Sequence, residues 1–270
     1  MKIFFGIKGI ARFLLMLIAL QSPVYAQLKA ETPEQKNNRM AWWTDARFGM
    51  FIHWGLYALP ARHEWVKNVE RMTNEQYQKY FEEFNPDLYN PKEWARMAKE
   101  AGMKYVILTT KHHEGFCQFD SKFTDYKSTK TPFGRDVVRE YVDALRAEGL
   151  KVGFYYSLID WHHPDYSIDK YHPQRQESDS AYAHLNKGRD MAKYREYLKN
   201  QVRELLTNYG EISVIWFDFS FPGKHGKDHN DWGSVDLLKM VRTLQPGIII
   251  DDRLDLKDMD GGWEIGRAHV

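Results

Sequence analysis

Residues 213–220 read SVIWFDFS. β-Branched and aromatic residues fill the run, the composition of a strand buried on both faces. A single carboxylate, Asp218, stands near its end. Four other runs share this character: FGMFIHWG (48–55), KYVILTTKHH (104–113), KVGFYYSL (151–158) and GIIIDDR (247–253). Helical periodicity fills the intervals between them. The segment 90–102 has Asn90 as N-cap, Pro91 at the first helical position and Gly102 as a stop. The segment 136–149 opens on Asp136 and stops at Gly149. Segments 190–210 and 234–246 follow the same plan. Apolar strands alternating with helices mean a parallel sheet covered by helices.

Two parallel architectures compete for this pattern. A doubly wound nucleotide-binding sheet needs a glycine-rich turn after its first strand, and no strand end here carries G-x-G-x-x-G. A barrel gathers polar, reactive residues at the C-terminal ends of several strands. The runs end on His53, on His112 and His113, near Tyr155, on Asp218 and on Arg253. One histidine on an apolar run is usually a core residue; polar groups at five successive strand ends are not explained by packing. The fold expected is therefore α/β, a (β/α)8-like TIM barrel of which this sequence holds about five of eight strand–helix units.

Composition narrows the function. The 270 residues carry 38 basic and 37 acidic side chains, so no polyanionic partner such as nucleic acid is indicated. Aromatic residues make up 15%, including nine Trp and sixteen Tyr, which suits either a generous core or a cleft that stacks on sugar rings. Cys117 is the only cysteine and excludes an internal disulfide.

Both ends of the chain depart from the barrel pattern. Residues 1–26 place Lys2, Lys8 and Arg12 before an apolar run from Phe13 to Leu20, then Val24-Tyr25-Ala26, which fits a secretory signal cleaved after Ala26. The run is far short of the roughly 20 residues that cross a bilayer, so the expectation is an exported, periplasmic or secreted protein without a membrane span. Residues 27–36 read as a linker and 37–263 as the N-terminal part of the barrel. Residues 264–270, EIGRAHV, back-translate into the start of a widely used sequencing adapter and read as a non-native tail.

The ordered motifs FGMFIHWGLYALP with HEW, then KHHEGF, GFYYSLIDW, IWFDF and DDR resemble those of glycoside hydrolase family 29, the α-L-fucosidases. The resemblance covers most of residues 37–263. It implies a catalytic barrel followed by a C-terminal β-sandwich, which this sequence does not contain. It implies Asp218 as the catalytic nucleophile, and His53, Glu64, Trp65, His112, His113, Tyr155 and Arg253 as contacts to the fucose hydroxyls, ring and methyl group. One departure stands beside the nucleophile: many members have Gly where this chain has Phe219. The family's acid/base carboxylate lies on a segment after Trp263.

The chemistry implied is exo-acting retaining hydrolysis of terminal α-L-fucosyl linkages on a fucosylated oligosaccharide or glycoconjugate. Such an enzyme needs two carboxyl groups about 5–5.5 Å apart, one attacking the anomeric carbon and one protonating the leaving oxygen. Neither a cofactor nor a metal is expected. The pairs His112-His113, His162-His163 and Asp251-Asp252 offer at most one ligand per strand face, short of three convergent ligands. Glu82, Glu83 and Glu93 fall on solvated helix faces, and residues 160–190 form a long polar loop that belongs to the cleft rim or to the surface. Two other readings stay open: another metal-independent barrel glycosidase, or a glycan-binding protein in which Asp218 only accepts hydrogen bonds.

Overall fold

The computed structural model describes residues 31–256; the signal segment 1–26 and the tail 264–270 lie outside the described residues. Five strands form one parallel sheet: β1 (Met50–Ile52), β2 (Tyr105–Lys111), β3 (Lys151–Ser157), β4 (Val214–Asp218) and β5 (Ile249–Ile250). Their order in space is their order in the chain. A doubly wound sheet reverses its order at a switch point; this sheet never reverses, as a barrel wall requires.

The helices over eight residues are α1 (Pro33–Ala46), α2 (Asn74–Glu82), α3 (Pro91–Glu100), α4 (Val137–Ala147), α5 (Met191–Asn208) and α6 (Ser234–Leu244). Their starts follow side-chain chemistry legible in the sequence. Asn90, Asp136 and Asp190 each accept a backbone N–H from the first turn that follows. At the far end of α3, Gly102 adopts φ +85°, a conformation open to glycine at little cost.

Alternation along the strands sorts side chains onto two faces. Val106 and Leu108, Phe154 and Tyr156, Ile215 and Phe217 belong to the large core shared with the helices. Ile107, Tyr155, Val214 and Ile249 form a separate cluster on the barrel interior, packed by Trp216, Tyr105, Met40, Trp42 and Trp43. The last three come from α1. Residues 33–36, read from sequence as linker, are instead the first turn of this helix, closed by a Thr32–Gln35 capping box. Trp43 lies 4.6 Å from Tyr105, and Lys151 sits over Trp42. Both partners open their strands, so α1 covers the N-terminal ends of the sheet.

At the other end of β2 the register against β3 shifts between Thr109 and Lys111. Lys111 thereby leaves the interior face and lies 4.5 Å from the centroid of Tyr156 and 3.1 Å from Asp160, both charged groups shut away from water. Asp160 also accepts the backbone N–H groups of His162 and His163, fixing the turn that follows β3. Removing one partner of a buried ion pair leaves the other charge uncompensated, which costs about 3–5 kcal/mol. Asp160→Ala should therefore lower the unfolding free energy by that amount in denaturant titrations of the full-length protein. A loss under about 1 kcal/mol, the range of an exposed pair, would mean that the charges are not sequestered in solution.

Candidate active site

Asp218 is the last residue of β4, on the interior face with Trp216 two residues before it. Opposite it in register stands Ser157, the last residue of β3. The Asp218 carboxylate is clamped at both oxygens. Tyr155 donates its hydroxyl to Oδ2 at 2.8 Å, and Arg253 donates a guanidinium N–H to Oδ1 at 2.6 Å. Burial and the Asp218 charge push the Tyr155 phenol far above its ordinary pKa, so it stays a donor at neutral pH. Donors directed at a carboxylate favour its ionised form.

Three histidines crowd the same mouth. His112 and His113 follow the shifted end of β2, and both are buried. Their ring centroids are 4.1 Å apart, and the ring of His53 lies 4.7 Å from that of His112. Strict alternation would have sent the two adjacent histidines to opposite sides. The strand has ended at Lys111, however, and the turn that follows carries both rings to the pocket. His113 Nε2 stands 3.9 Å from Asp218 Oδ2. Burial, with the fields of His112 and His53, drives the His113 pKa well below 6.5. His53 opens to solvent on one side, yet desolvation by its neighbours and the field of His112 lower it to about 4. Both rings are neutral at physiological pH and can read hydroxyl groups.

Trp65 meets His113 edge-on at 5.1 Å and also packs on Trp161, Tyr171 and Phe219. These rings make an aromatic wall on one side of His113. Phe219 itself lies 5.8 Å from the His113 ring and 5.1 Å from Tyr171, so it is part of that wall. Tyr171 belongs to the long polar segment after β3, in which Trp161, Tyr166, Asp169 and His172 are all buried. Lys227 secures this segment by bonding to Ser167 O and Asp169 Oδ2, each at 2.8 Å. Residues 161–173 of the segment are therefore cleft wall, while residues 174–190, with the helix Asp179–Leu185, are largely exposed. Glu64 is exposed, on the turn before the short helix Val66–Val69, close enough for its charge to act on His53.

Several residues of the site escaped the sequence reading. Trp216 shares the face of Asp218, and strand alternation was the signal that could have found it. Glu114 enters through its bond to His112 two residues before it, and Ser157 and Trp161 through contacts between separate elements. Gly115 is required by one of them: a Cβ there would lie 2.3 Å from Asp160 Oδ1, and its φ is +85°. Glu82 and Glu93, by contrast, are exposed on α2 and α3, as their helical setting suggested.

Comparison with known proteins shows the family of the chain. The family described as Alpha-L-fucosidase matches residues 16–266. This chain belongs to that family. An α-L-fucosidase of Dictyostelium discoideum is 30% identical over 95% of this chain and 58% of its own length. The solved α-L-fucosidase isoenzyme 1 of Paenibacillus thiaminolyticus is 56% identical, with a TM-score of 0.76 over 81% of this chain and 51% of that one. A family 29 fucosidase from Bacteroides thetaiotaomicron, solved as a trapped covalent intermediate with 2-fluoro-fucosyl fluoride, is 34% identical with a TM-score of 0.71 over 89% of this chain. The chain spans about half the length of the curated relatives it matches.

The buried histidines give the fold a pH limit. His172, in the segment after β3, has its pKa lowered to about 3 by burial and by Arg189, Lys67 and Lys227. Between pH 6.5 and 3 the unfolded chain binds a proton at this position and the folded chain does not, so stability falls as pH falls. Urea midpoints should drop through this window, and His172→Gln should flatten the slope. An unchanged slope in the variant would remove His172 from the cause.

Proposed function

We propose that the protein is an exo-acting retaining α-L-fucosidase with Asp218 as its nucleophile. The observation that carries the reading is the clamped carboxylate at the end of β4, held by Tyr155 and Arg253 beside neutral histidines and an aromatic wall. An ionised oxygen of Asp218 attacks the anomeric carbon of a terminal fucose as the bond to the aglycone oxygen breaks. Water then cleaves the fucosyl ester and returns the carboxylate. Protonation of the leaving oxygen needs a second carboxyl about 5 Å away, which we assign to the part of the longer relatives that this chain does not span. The histidines and Trp65 hold the sugar, since a neutral imidazole both donates and accepts and an aromatic face covers its apolar side. A rigid strand supports the placement of the attacking group, and orientation of that kind lowers barriers by several kcal/mol.

In the full-length protein, Asp218→Gly should cut turnover of an aryl α-L-fucoside by about three orders of magnitude or more. Azide should restore part of the rate by occupying the space of the lost carboxylate. A slow fluoro-sugar substrate should leave a fucosyl ester on the Asp218 peptide, read by mass spectrometry. Near-normal turnover of the variant, or a label on another carboxylate, would overturn the assignment.

The leader in residues 1–26 supports a protein made for export and cleaved after Ala26. Mass spectrometry of the exported product should find Gln27 at its N-terminus; an intact Met1 would contradict this.

A further inference from the structure

The proton positions on the two pocket histidines can be read from their outer partners. The hydroxyl of Ser157 donates to Ile159 O at 2.8 Å, and its oxygen lies 2.6 Å from His113 Nδ1. A hydroxyl has one hydrogen, and a carbonyl can only accept. Ser157 Oγ is therefore the acceptor toward His113, whose Nδ1 carries the proton. His112 Nδ1 lies 3.1 Å from Glu114 Oε2, and both groups are buried. A carboxylate only accepts, so this Nδ1 also carries a proton. The bond made by one ring nitrogen decides the state of the other. His112 Nε2 is buried with no partner among the described residues, and His113 Nε2 points to the Asp218 side of the pocket.

We propose that Glu114 and Ser157 are positioning residues that hold His112 and His113 in the Nδ1–H tautomer, so that two Nε2 lone pairs face the pocket as acceptors. The pocket then selects a ligand that donates two hydroxyl hydrogens. Beside the Asp218 carboxylate, these lone pairs repel an anionic group at the same position. The assignment of those hydroxyls to fucose rests on the function proposed above; the placement of the protons does not.

The direct test is long-range proton–nitrogen NMR on full-length protein labelled with ¹⁵N-histidine, without sugar. Both rings should carry the proton at Nδ1. A proton at Nε2 of either ring, alone or as imidazolium, overturns the proposal. Glu114→Leu removes the acceptor and should move the His112 proton to Nε2, weakening L-fucose binding about ten- to hundredfold by calorimetry. Glu114→Gln keeps an acceptor oxygen and should keep both the tautomer and the affinity.

Burial lowers the Lys67 pKa to about 8, and the Glu114 charge opposes that shift, so the leucine variant can lose its fold. Ser157→Ala then supplies the parallel test on His113. A panel of mono-deoxy fucoses separates positioning from general damage. The analogue lacking the hydroxyl read by the altered histidine should bind parent and variant alike, and an equal loss across the panel overturns the proposal. Nδ1 protons on both rings without any fucose binding would support the proton placement and overturn the fucosidase reading instead.

Discussion

The ammonium of Lys111 and the carboxylate of Asp160, 3.1 Å apart and closed off from water, tie the end of β2 to the turn after β3. Two buried charges persist only when each answers the other, so the chain cannot relax at either place without exposing one of them. The shift of register at Thr109 and Lys111 lets the lysine leave the barrel interior for the side of Tyr156 and Tyr194. Shifts of this kind re-aim the residues that follow them. Here these are His112 and His113, and the same pair fixes the turn that sets Trp161 against His113. The pocket is thus built on an interaction that lies outside it.

Within the pocket, charge is concentrated on few groups. Asp218 is the acid with donors at both oxygens, from Tyr155 and Arg253. Around it the phenol and the imidazoles of His53 and His113 stay neutral, because burial disfavours their charged forms. Neutral hydrogen-bonding groups beside the paired charges of Asp218 and Arg253 suit an uncharged, hydroxyl-rich ligand.

Phe219 shows how a local departure from a family pattern is absorbed. It packs with Tyr171, Phe221 and Trp65, filling the wall formed by the segment after β3. That segment holds polar residues in quantity, and they are spent on its own closure: Asp169 accepts from Tyr166 and Lys227, and Arg189 bonds the carbonyls of Pro164 and Tyr166. Buried polar groups paired in this way order a segment that has little regular secondary structure.

The amino-acid sequence by itself determined the parallel strands, their flanking helices and the barrel class, because apolar runs, caps and glycine stops act over a few residues. It also marked Asp218, Tyr155, His53, His112, His113 and Arg253, since strand ends in a barrel converge on one mouth. It misread residues 33–36 as linker, because the packing of the half-buried Trp42 and Trp43 against the sheet depends on partners such as Tyr105, over sixty positions away. It gave His112 and His113 opposite faces, because a shift in strand register leaves no local mark. The roles of Ser157 and Trp161 were decided only by the tertiary structure. Their partners lie on other strands and turns, and a hydrogen bond or a ring contact exists only once folding has brought those elements within a few ångströms of each other.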